Sequence, residues 1–326
     1  MRKFQGKLVL TAGIAACLSG CMSVMPMMAP TVTAEKNISS EFPFESKFVT
    51  VNGSKMHYVE TGSGTPIVFL HGNPTSNYLW RNILPIVAKN NRVIALDLIG
   101  MGKSDKPDLA YNLDDQIRYF DGFMAAMYLK EAILVVHDWG GPIGIDYAMR
   151  HQDQVKSIVM METLVRPMRW DDFDFGTKYM FGKLRDPIDG NNLIVKENYF
   201  VEKLLTMFAG RKLDDKEMSA YRAPFLKESD RKVVANWPRE IPLDGIPKKN
   251  DERFVHNFEL LQKSKLPLLL LTGQPGAIMK EEMVASLKVA LPRMSVREIG
   301  PGLHFLQESQ PTNIGNAIAH WVEQSQ

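Results

Sequence analysis

Residues 135–144 read Val-Val-His-Asp-Trp-Gly-Gly-Pro-Ile-Gly, and this stretch decides the fold. An apolar run breaks into a glycine-rich turn and then into an amphipathic segment, which predicts a strand, a sharp turn and a helix. Such a turn lifts one side chain, here that of Asp138, clear of the sheet, and the small residues after it let the helix pack closely. The arrangement is a nucleophile elbow, a motif that usually carries serine.

The carboxylate of Asp138 changes the chemistry expected at that turn. A serine hydroxyl at an elbow attacks acyl carbons. A carboxylate can instead displace a leaving group from an alkyl carbon and become an ester itself. The sequence therefore points away from ordinary ester substrates.

Apolar strand-like segments alternate with helical patterns along the chain, and an Asn-Gly pair at 52–53 predicts a hairpin. The alternation predicts an α/β protein whose mostly parallel, eight-stranded sheet carries helices on both faces. Because chemistry in such sheets gathers at the carboxyl ends of strands, we expect residues at these ends to converge. Those residues are Asn73, Asp138, Glu162 and His304. The predicted strands are 47–51, 55–60, 67–70, 92–98, 132–136, 156–161, 266–271 and 295–299.

The alternation stops between Glu162 and Leu266. Residues 165–247 are rich in helix formers and aromatics, which predicts a helical cap inserted into a main domain made of segments 41–164 and 248–326. Such a cap would cover the site and exclude water. Its aromatic side chains can either line the site or pack against the main domain, and the sequence leaves both open.

An esterified carboxylate needs a base that activates water and an acid that orients the base. Of seven histidines, His304 is the best placed, because it lies in a glycine-bearing loop between the last strand and the last helix. Glu162 directly follows a strand and can supply the acid. The second possible position for the acid, residues 272–280, contains no carboxylate. The alternatives are a loop histidine with local hydrogen bonds and an ion pair between Glu162 and Arg166.

Asn73 and Trp139 offer neutral hydrogen-bond donors for a departing anion. A side-chain amide and an indole N–H can face a halide without adding a buried charge. The backbone N–H groups of the same two residues would form an oxyanion hole for the step that cleaves the ester. The alternatives are a turn-forming asparagine before Pro74 and a tryptophan that only packs.

Two further patterns are set aside. Residues 102–104, Gly-Lys-Ser, resemble the end of a phosphate-binding loop, but Asp97 stands where that motif requires glycine. No metal-ligand spacing connects His71 and His137. We expect these histidines to support the site loops through hydrogen bonds.

Together the motifs resemble those of the haloalkane dehalogenases, most strongly the subfamily whose acid follows the sixth strand. The resemblance covers about residues 41–326. It rests on residues 71–82 (His-Gly-Asn-Pro-Thr-Ser-Asn-Tyr-Leu-Trp-Arg-Asn), 137–140 (His-Asp-Trp-Gly), 161–162 (Met-Glu) and 300–304 (Gly-Pro-Gly-Leu-His).

The resemblance implies an α/β-hydrolase fold in which Asp138 is the nucleophile, His304 the base and Glu162 the acid. It assigns Asn73 and Trp139 to the halide. The implied substrate is a small halogenated alkane that reacts with water to give an alcohol, a halide and a proton. Neither a metal nor an organic cofactor is expected.

Three rival functions are considered. Epoxide hydrolases share the fold and the aspartate elbow, but they usually carry an aromatic residue at the position of Asn73, a later acid and cap tyrosines. A coelenterazine-oxidising luciferase resembles the same subfamily and keeps a similar site. The third rival is a lipid-anchored binding protein with an inactive site, against which the complete set of site residues argues.

The first 40 residues are predicted to lie outside the fold. Residues 1–20 combine three basic residues with a short apolar run, which indicates a secretory signal, because a membrane span needs about 20 apolar residues. Leu-Ser-Gly-Cys at 18–21 resembles a bacterial lipobox, so Cys21 is the expected lipidation site. The protein would then be an exported periplasmic or cell-envelope lipoprotein, with residues 21–40 as a flexible tether. The alternative is a plain signal peptide with an incidental cysteine.

The 326-residue chain is long enough for one large domain. Its formal net charge is +2, and loss of residues 1–20 reduces the basic residues from 39 to 36 against 37 acidic ones, or about −1. This charge, without a basic stripe that carries aromatics, argues against nucleic-acid binding. The chain has two cysteines, Cys17 and Cys21, so no internal disulfide is expected in the mature domain.

Overall fold

The computed structural model describes residues 32–324; Cys21 and the predicted signal sequence lie outside the described residues. One eight-stranded sheet runs through this part of the chain. Its strands are β1 (Lys47–Val51), β2 (Ser54–Thr61), β3 (Pro66–Leu70), β4 (Arg92–Leu96), β5 (Ala132–Asp138), β6 (Val155–Thr163), β7 (Leu268–Pro275) and β8 (Ser295–Gly302). The strand order is β1-β2-β4-β3-β5-β6-β7-β8. The predicted mostly parallel sheet is confirmed, because only β1–β2 and β2–β4 pair antiparallel.

The central strands are apolar because both of their faces are covered. All seven residues of β5 are buried, as are the last seven of β6. Two groups of helices pack separately: α2 and α9 each pack against α3, and α1 packs against α11. Their bounds, with those of the remaining helices, are α1 (Leu84–Val87), α2 (Leu113–Ala126), α3 (Gly140–Arg150), α4 (Phe175–Arg185), α5 (Pro187–Gly190), α6 (Thr206–Phe208), α7 (Asp215–Arg222), α8 (Lys232–Glu240), α9 (Lys248–Lys263), α10 (Glu281–Ala290) and α11 (Pro311–Gln324).

The segment between β6 and α9, predicted as the cap, contains α4 to α8 and several shorter turns. The sequence spacing predicts a regular helix over residues 197–208. The structure instead has a π-helical segment at Phe200–Leu205 that continues into α6. The capping box that begins α7 forms as the pattern predicts, because Asp214 accepts from the backbone of Glu217 and Glu217 accepts from that of Asp214.

Residues 32–40, which we call the N-terminal strap, lie against the folded protein. Val32 N donates to Gly210 O at 3.3 Å, and Glu35 N donates to Ser309 O at 2.8 Å. The Glu35 carboxylate accepts the backbone N–H groups of Thr312 and Asn313 at 2.8 and 2.9 Å, so it caps the first turn of α11. The prediction of a flexible tether through residue 40 is therefore wrong for residues 32–40.

No helix within residues 32–324 is long and apolar enough to cross a lipid bilayer.

Candidate active site

Asp138 ends β5 at a strained turn immediately before α3. Its φ angle is 49°, in the left-handed region that residues with a side chain rarely adopt. A Cβ atom on Gly141 would lie 1.7 Å from Thr163 Oγ1, so the chain after the turn can approach β6 only because this residue is glycine. Thr163 Oγ1 also donates to the Asp138 carbonyl at 2.5 Å. The elbow predicted from the sequence is thus present in the structure.

The two carboxylate oxygens of Asp138 have different surroundings. Oδ1 accepts the backbone N–H of Asn73 at 2.6 Å, whereas Oδ2 lies 3.4 Å from His304 Nε2. A Cβ atom on Gly72 would fall 2.1 Å from Oδ1, so glycine is required beside the carboxylate. Burial raises the pKa of Asp138, but the hydrogen bond and charge of His304 outweigh it and lower the pKa overall. The carboxylate is therefore ionised at neutral pH.

His304 lies between two carboxylates. Its Nδ1 is 3.4 Å from Glu162 Oε2, on the opposite side of the ring from Asp138. Burial lowers the pKa of His304. The hydrogen bonds to Asp138 and Glu162 and the charges of these two residues outweigh burial and raise the pKa to about 9. The imidazole is therefore protonated at neutral pH.

Glu162 is fully buried and is held by backbone N–H groups that follow β7. Its carboxylate accepts from Ala277 at 3.2 Å, Ile278 at 2.8 Å and Met279 at 3.2 Å. These amides occupy the loop in which the sequence offers no carboxylate, so the loop holds the acid instead of supplying it. The alternative ion pair with Arg166 is wrong, because Arg166 contacts the Pro167 carbonyl and Asp172 instead.

His71 and His137 support the site as the sequence predicts. His71 Nδ1 donates to the Gly72 carbonyl at 2.9 Å, and its Nε2 accepts the Leu98 N–H at 3.0 Å. His137 Nε2 donates to the His304 carbonyl at 2.9 Å. Burial, helped by His304, lowers the pKa of His137 to about 3, so His137 stays neutral beside the charged base.

A cavity of about 670 Å³ separates these residues from the cap. Both predicted halide donors, Asn73 and Trp139, line this cavity. The indole ring of the buried Trp139 stacks on Trp237 at 4.4 Å, and Asn73 Nδ2 donates to the Val234 carbonyl at 3.4 Å. Its main-domain lining includes Asn73, Asp138, Trp139, Leu164, Ile278, Leu303, His304 and Phe305. Its cap lining includes Met168, Phe173, Thr177, Met180, Phe181, Phe200, Leu204, Met207, Phe208, Pro238 and Ile241.

Some cap aromatics therefore line the site, which settles an alternative that the sequence leaves open. Phe173 and Phe181 stack on each other at 5.2 Å in the cavity wall, whereas Phe175 and Tyr179, which share α4 with Phe181, face outward, 83% and 46% exposed. Among the described residues that line the cavity there is no tyrosine. Within residues 32–324 no group of three or more His, Cys, Asp or Glu side chains could hold a metal ion.

The fold and the sequence both match known proteins. A family model described as alpha/beta hydrolase fold matches residues 65–311. A haloalkane dehalogenase of Mesorhizobium japonicum is 40% identical over 297 residues, which cover 90% of this chain and 93% of that protein. A haloalkane dehalogenase of Bradyrhizobium diazoefficiens is 39% identical over 87% of this chain and 96% of its own.

Solved structures give the same result. The crystal structure of the haloalkane dehalogenase DbeA from Bradyrhizobium elkani superposes with a TM-score of 0.84 at 38% identity, covering 86% of this chain and 98% of the other. That of DatA from Agrobacterium tumefaciens gives 0.83 at 34% identity, covering 86% and 97%. Since these relatives match over nearly their whole length, and the elbow here carries a carboxylate, the chain belongs to the haloalkane dehalogenases of the α/β-hydrolase fold.

Proposed function

We propose that this chain hydrolyses haloalkanes to an alcohol, a halide and a proton, with Asp138 as the nucleophile. The observation that carries the proposal is the Asp138 carboxylate, which is ionised, lies at the wall of an apolar cavity and faces His304. Membership of the haloalkane dehalogenases supports the same reaction. Apart from the site residues, the lining is mostly apolar, with Asp174, Lys280, Glu281 and Glu282 as its charged members, and this suits a halogenated alkane.

In the first step Asp138 is alkylated. Because Oδ1 is held by the backbone N–H of Asn73 at 2.6 Å, the oxygen that attacks is Oδ2, whose contact with His304 is longer, at 3.4 Å. A bond forms between Oδ2 and the alkyl carbon while the carbon–halogen bond breaks, and the halide leaves with the bonding electron pair. The Asn73 amide and the Trp139 indole N–H stabilise the departing halide as neutral donors.

In the second step water cleaves the ester. His304, oriented by Glu162, takes a proton from water as the water oxygen bonds to the carbonyl carbon of Asp138. Negative charge develops on Oδ1, to which the backbone N–H of Asn73 already donates. The backbone N–H of Trp139 is the second candidate donor. The bond between that carbon and Oδ2 then breaks, and the departing alkoxide oxygen, Oδ2, takes the remaining proton of the attacking water to give the alcohol. Asp138 keeps the oxygen of water as a carboxylate, and His304 keeps the proton that it accepted.

His304 has a different charge state in each of the two steps. In the free enzyme the pKa of His304 is about 9, because two carboxylates outweigh its burial. Alkylation removes the charge of Asp138 and with it the larger of these two effects, so the pKa of His304 falls. The imidazole then releases its proton and becomes able to act as a base once the ester has formed.

The test is halide release from 1-bromobutane, 1-chlorobutane and 1-iodobutane, combined with turnover in heavy-oxygen water. We expect halide release and one heavy oxygen in the peptide that contains Asp138. Turnover without label in that side chain would exclude the ester. An epoxide assay in parallel addresses the epoxide hydrolase rival, which the absence of a tyrosine among the described cavity-lining residues argues against.

The proposal for location rests on sequence alone. Residues 1–20 act as an export signal, and Cys21 is lipidated, which makes the mature protein a cell-envelope lipoprotein. The test is detergent-phase partition of the protein produced in bacteria. We expect Cys21→Ala to move the protein to the aqueous phase, and equal partition of both proteins would contradict lipidation.

A further inference from the structure

Behind the His304 loop, two arginines, two glutamates and a tyrosine form a buried cluster, which we call the Glu308 cluster. Its members are Arg81, Arg211, Glu217, Tyr221 and Glu308. The Arg81 and Glu308 side chains have no exposed surface, and that of Glu217 is 2% exposed. None of these residues lines the cavity, so the reaction proposed above does not use them directly.

Glu308 is the residue on which the cluster converges. Its carboxylate accepts both terminal nitrogens of Arg81, at 2.6 and 2.9 Å. It also accepts Arg211 at 2.6 Å and the hydroxyl of Tyr221. Arg211 Nε donates in addition to the Glu308 carbonyl at 2.5 Å. Side chain and backbone of this one residue are thus fixed together.

The cluster is charge-balanced as well as buried. Glu217 accepts from Arg81 at 2.7 Å and from Arg211 at 2.9 Å, so each arginine contacts both carboxylates. Removing one charge would leave another unpaired in a buried site, which is strongly unfavourable. The geometry is therefore held firmly in the folded protein.

The cluster joins three parts of the molecule around His304. Arg81 follows the loop that begins at Asn73, and Glu217 and Tyr221 lie on cap helix α7. Glu308 ends a 3₁₀ turn that starts two residues after His304. This short turn is braced further, because Glu308 N donates to the Phe305 carbonyl at 2.9 Å and Phe305 N to the cap residue Phe208 at 3.1 Å.

We propose that Glu308 is a positioning residue for His304, and the inference rests on the function proposed above. Both ring nitrogens of His304 lie 3.4 Å from their carboxylates, which is long for hydrogen bonds, so a small displacement would break them. A displacement of about 1 Å can slow an enzymatic step about 100-fold. Asp138 is held by its own elbow and by Asn73 N, and neither contact involves Glu308.

The consequence is selective for one step. Loss of the Glu308 carboxylate should leave alkylation of Asp138 intact and slow hydrolysis of the ester, because only the second step uses His304 as a base. A general loss of structure would instead reduce the number of working sites in both steps.

The experiment compares Glu308→Gln with the wild-type enzyme by rapid quench and mass spectrometry, with 1-bromobutane as substrate. We expect the first halide at the wild-type rate and with one equivalent per enzyme, and ester decay slowed about 10- to 100-fold. The matched control is Glu202→Gln. It breaks an ion pair with Arg222, which lies on α7 like Glu217 and Tyr221, but Glu202 does not contact the His304 turn. Ester decay in the control should equal that of the wild type.

Unchanged ester decay in Glu308→Gln would overturn the inference, and so would equal slowing of both steps. If a thermal melting curve shows that Glu308→Gln is not folded, Arg211→Gln replaces it. The Arg211 side chain is partly exposed and donates to the Glu308 carbonyl. Unchanged ester decay in Arg211→Gln would then overturn the inference. Wild-type enzyme that forms no ester would instead refute the proposed function itself.

Discussion

The two walls of the cavity are built by different physical means. On the main-domain side, Asp138 and His304 lie in the wall and Glu162 lies behind it. All three are held at strand ends by directional contacts with backbone amides or with one another. On the cap wall, phenylalanine and methionine side chains such as Phe200 and Met180 meet the cavity through apolar packing. The difference indicates that directional contacts fix the reacting groups and apolar packing shapes the substrate space, so replacing an apolar side chain of the cap wall should leave the reacting groups in place.

The largest expected effect breaks the main-domain wall. His304→Ala removes the base but leaves the Asp138 side chain, which the backbone N–H of Asn73 still holds, so one halide per enzyme should be released before turnover falls about 10⁴-fold. Halide counting with mass spectrometry of the Asp138 adduct checks this. Asp138→Ala, as the control, should release no halide at all. Sustained turnover in His304→Ala would show that another group is the base.

The next effect concerns the loop that holds the acid. Glu162→Gln places an amide NH₂ against the N–H groups of Ala277, Ile278 and Met279, so the side chain can no longer accept from all of them or orient His304. We expect ester hydrolysis to slow about 100-fold, with a smaller change in alkylation. Steady-state and burst kinetics separate the two steps. The control is Glu60→Gln, which breaks a partly exposed ion pair between Glu60 on β2 and Lys47. It should change the rate of neither step.

A change in the cap wall sharpens the comparison from the other side. Phe200→Ala enlarges the cavity, so the ratio of kcat/KM for long against short bromoalkanes should change about 10-fold. The rate of ester hydrolysis should stay within about twofold of the wild type. Tyr179→Ala is the control, because Tyr179 is 46% exposed and does not line the cavity. Loss of ester hydrolysis in Phe200→Ala would show that the two walls are coupled.

The smallest effect is a proton. Below the pKa of about 9, His304 is protonated in the free enzyme, and alkylation of Asp138 lowers that pKa, so a proton should leave with the first halide. As pH rises through about 9, His304 is already neutral and this proton should disappear. A pH-indicator dye in weakly buffered stopped flow measures it, with His304→Ala as the proton-free control. Proton release only at the rate of turnover would contradict the charge assignment.

The sequence predicts best those features that depend on a single local motif. The elbow at Asp138, the hairpin at 52–53 and the capping box of α7 all form, because glycine placement and short polar side chains decide them locally. The convergence of Asn73, Glu162 and His304 at one edge follows from parallel strand topology.

Features that depend on backbone conformation or distant partners are not predictable in this way. The amides of residues 277–279 carry no side-chain signature for binding Glu162; the one available hint is Gly276, whose φ of 70° permits the turn. Arg81 and Glu308 lie 227 residues apart, so their ion pair has no local pattern. The N-terminal strap was missed because its polar composition resembles that of a linker.

Because the N-terminal strap is bound to the folded protein, it shortens the flexible chain that would connect the enzyme to a lipid on Cys21. Val32 is hydrogen-bonded to Gly210, and eleven peptide steps separate it from Cys21, so the two residues can lie at most about 40 Å apart. A lipidated enzyme would therefore stay close to the membrane surface, and apolar halogenated compounds are concentrated in the membrane by partition.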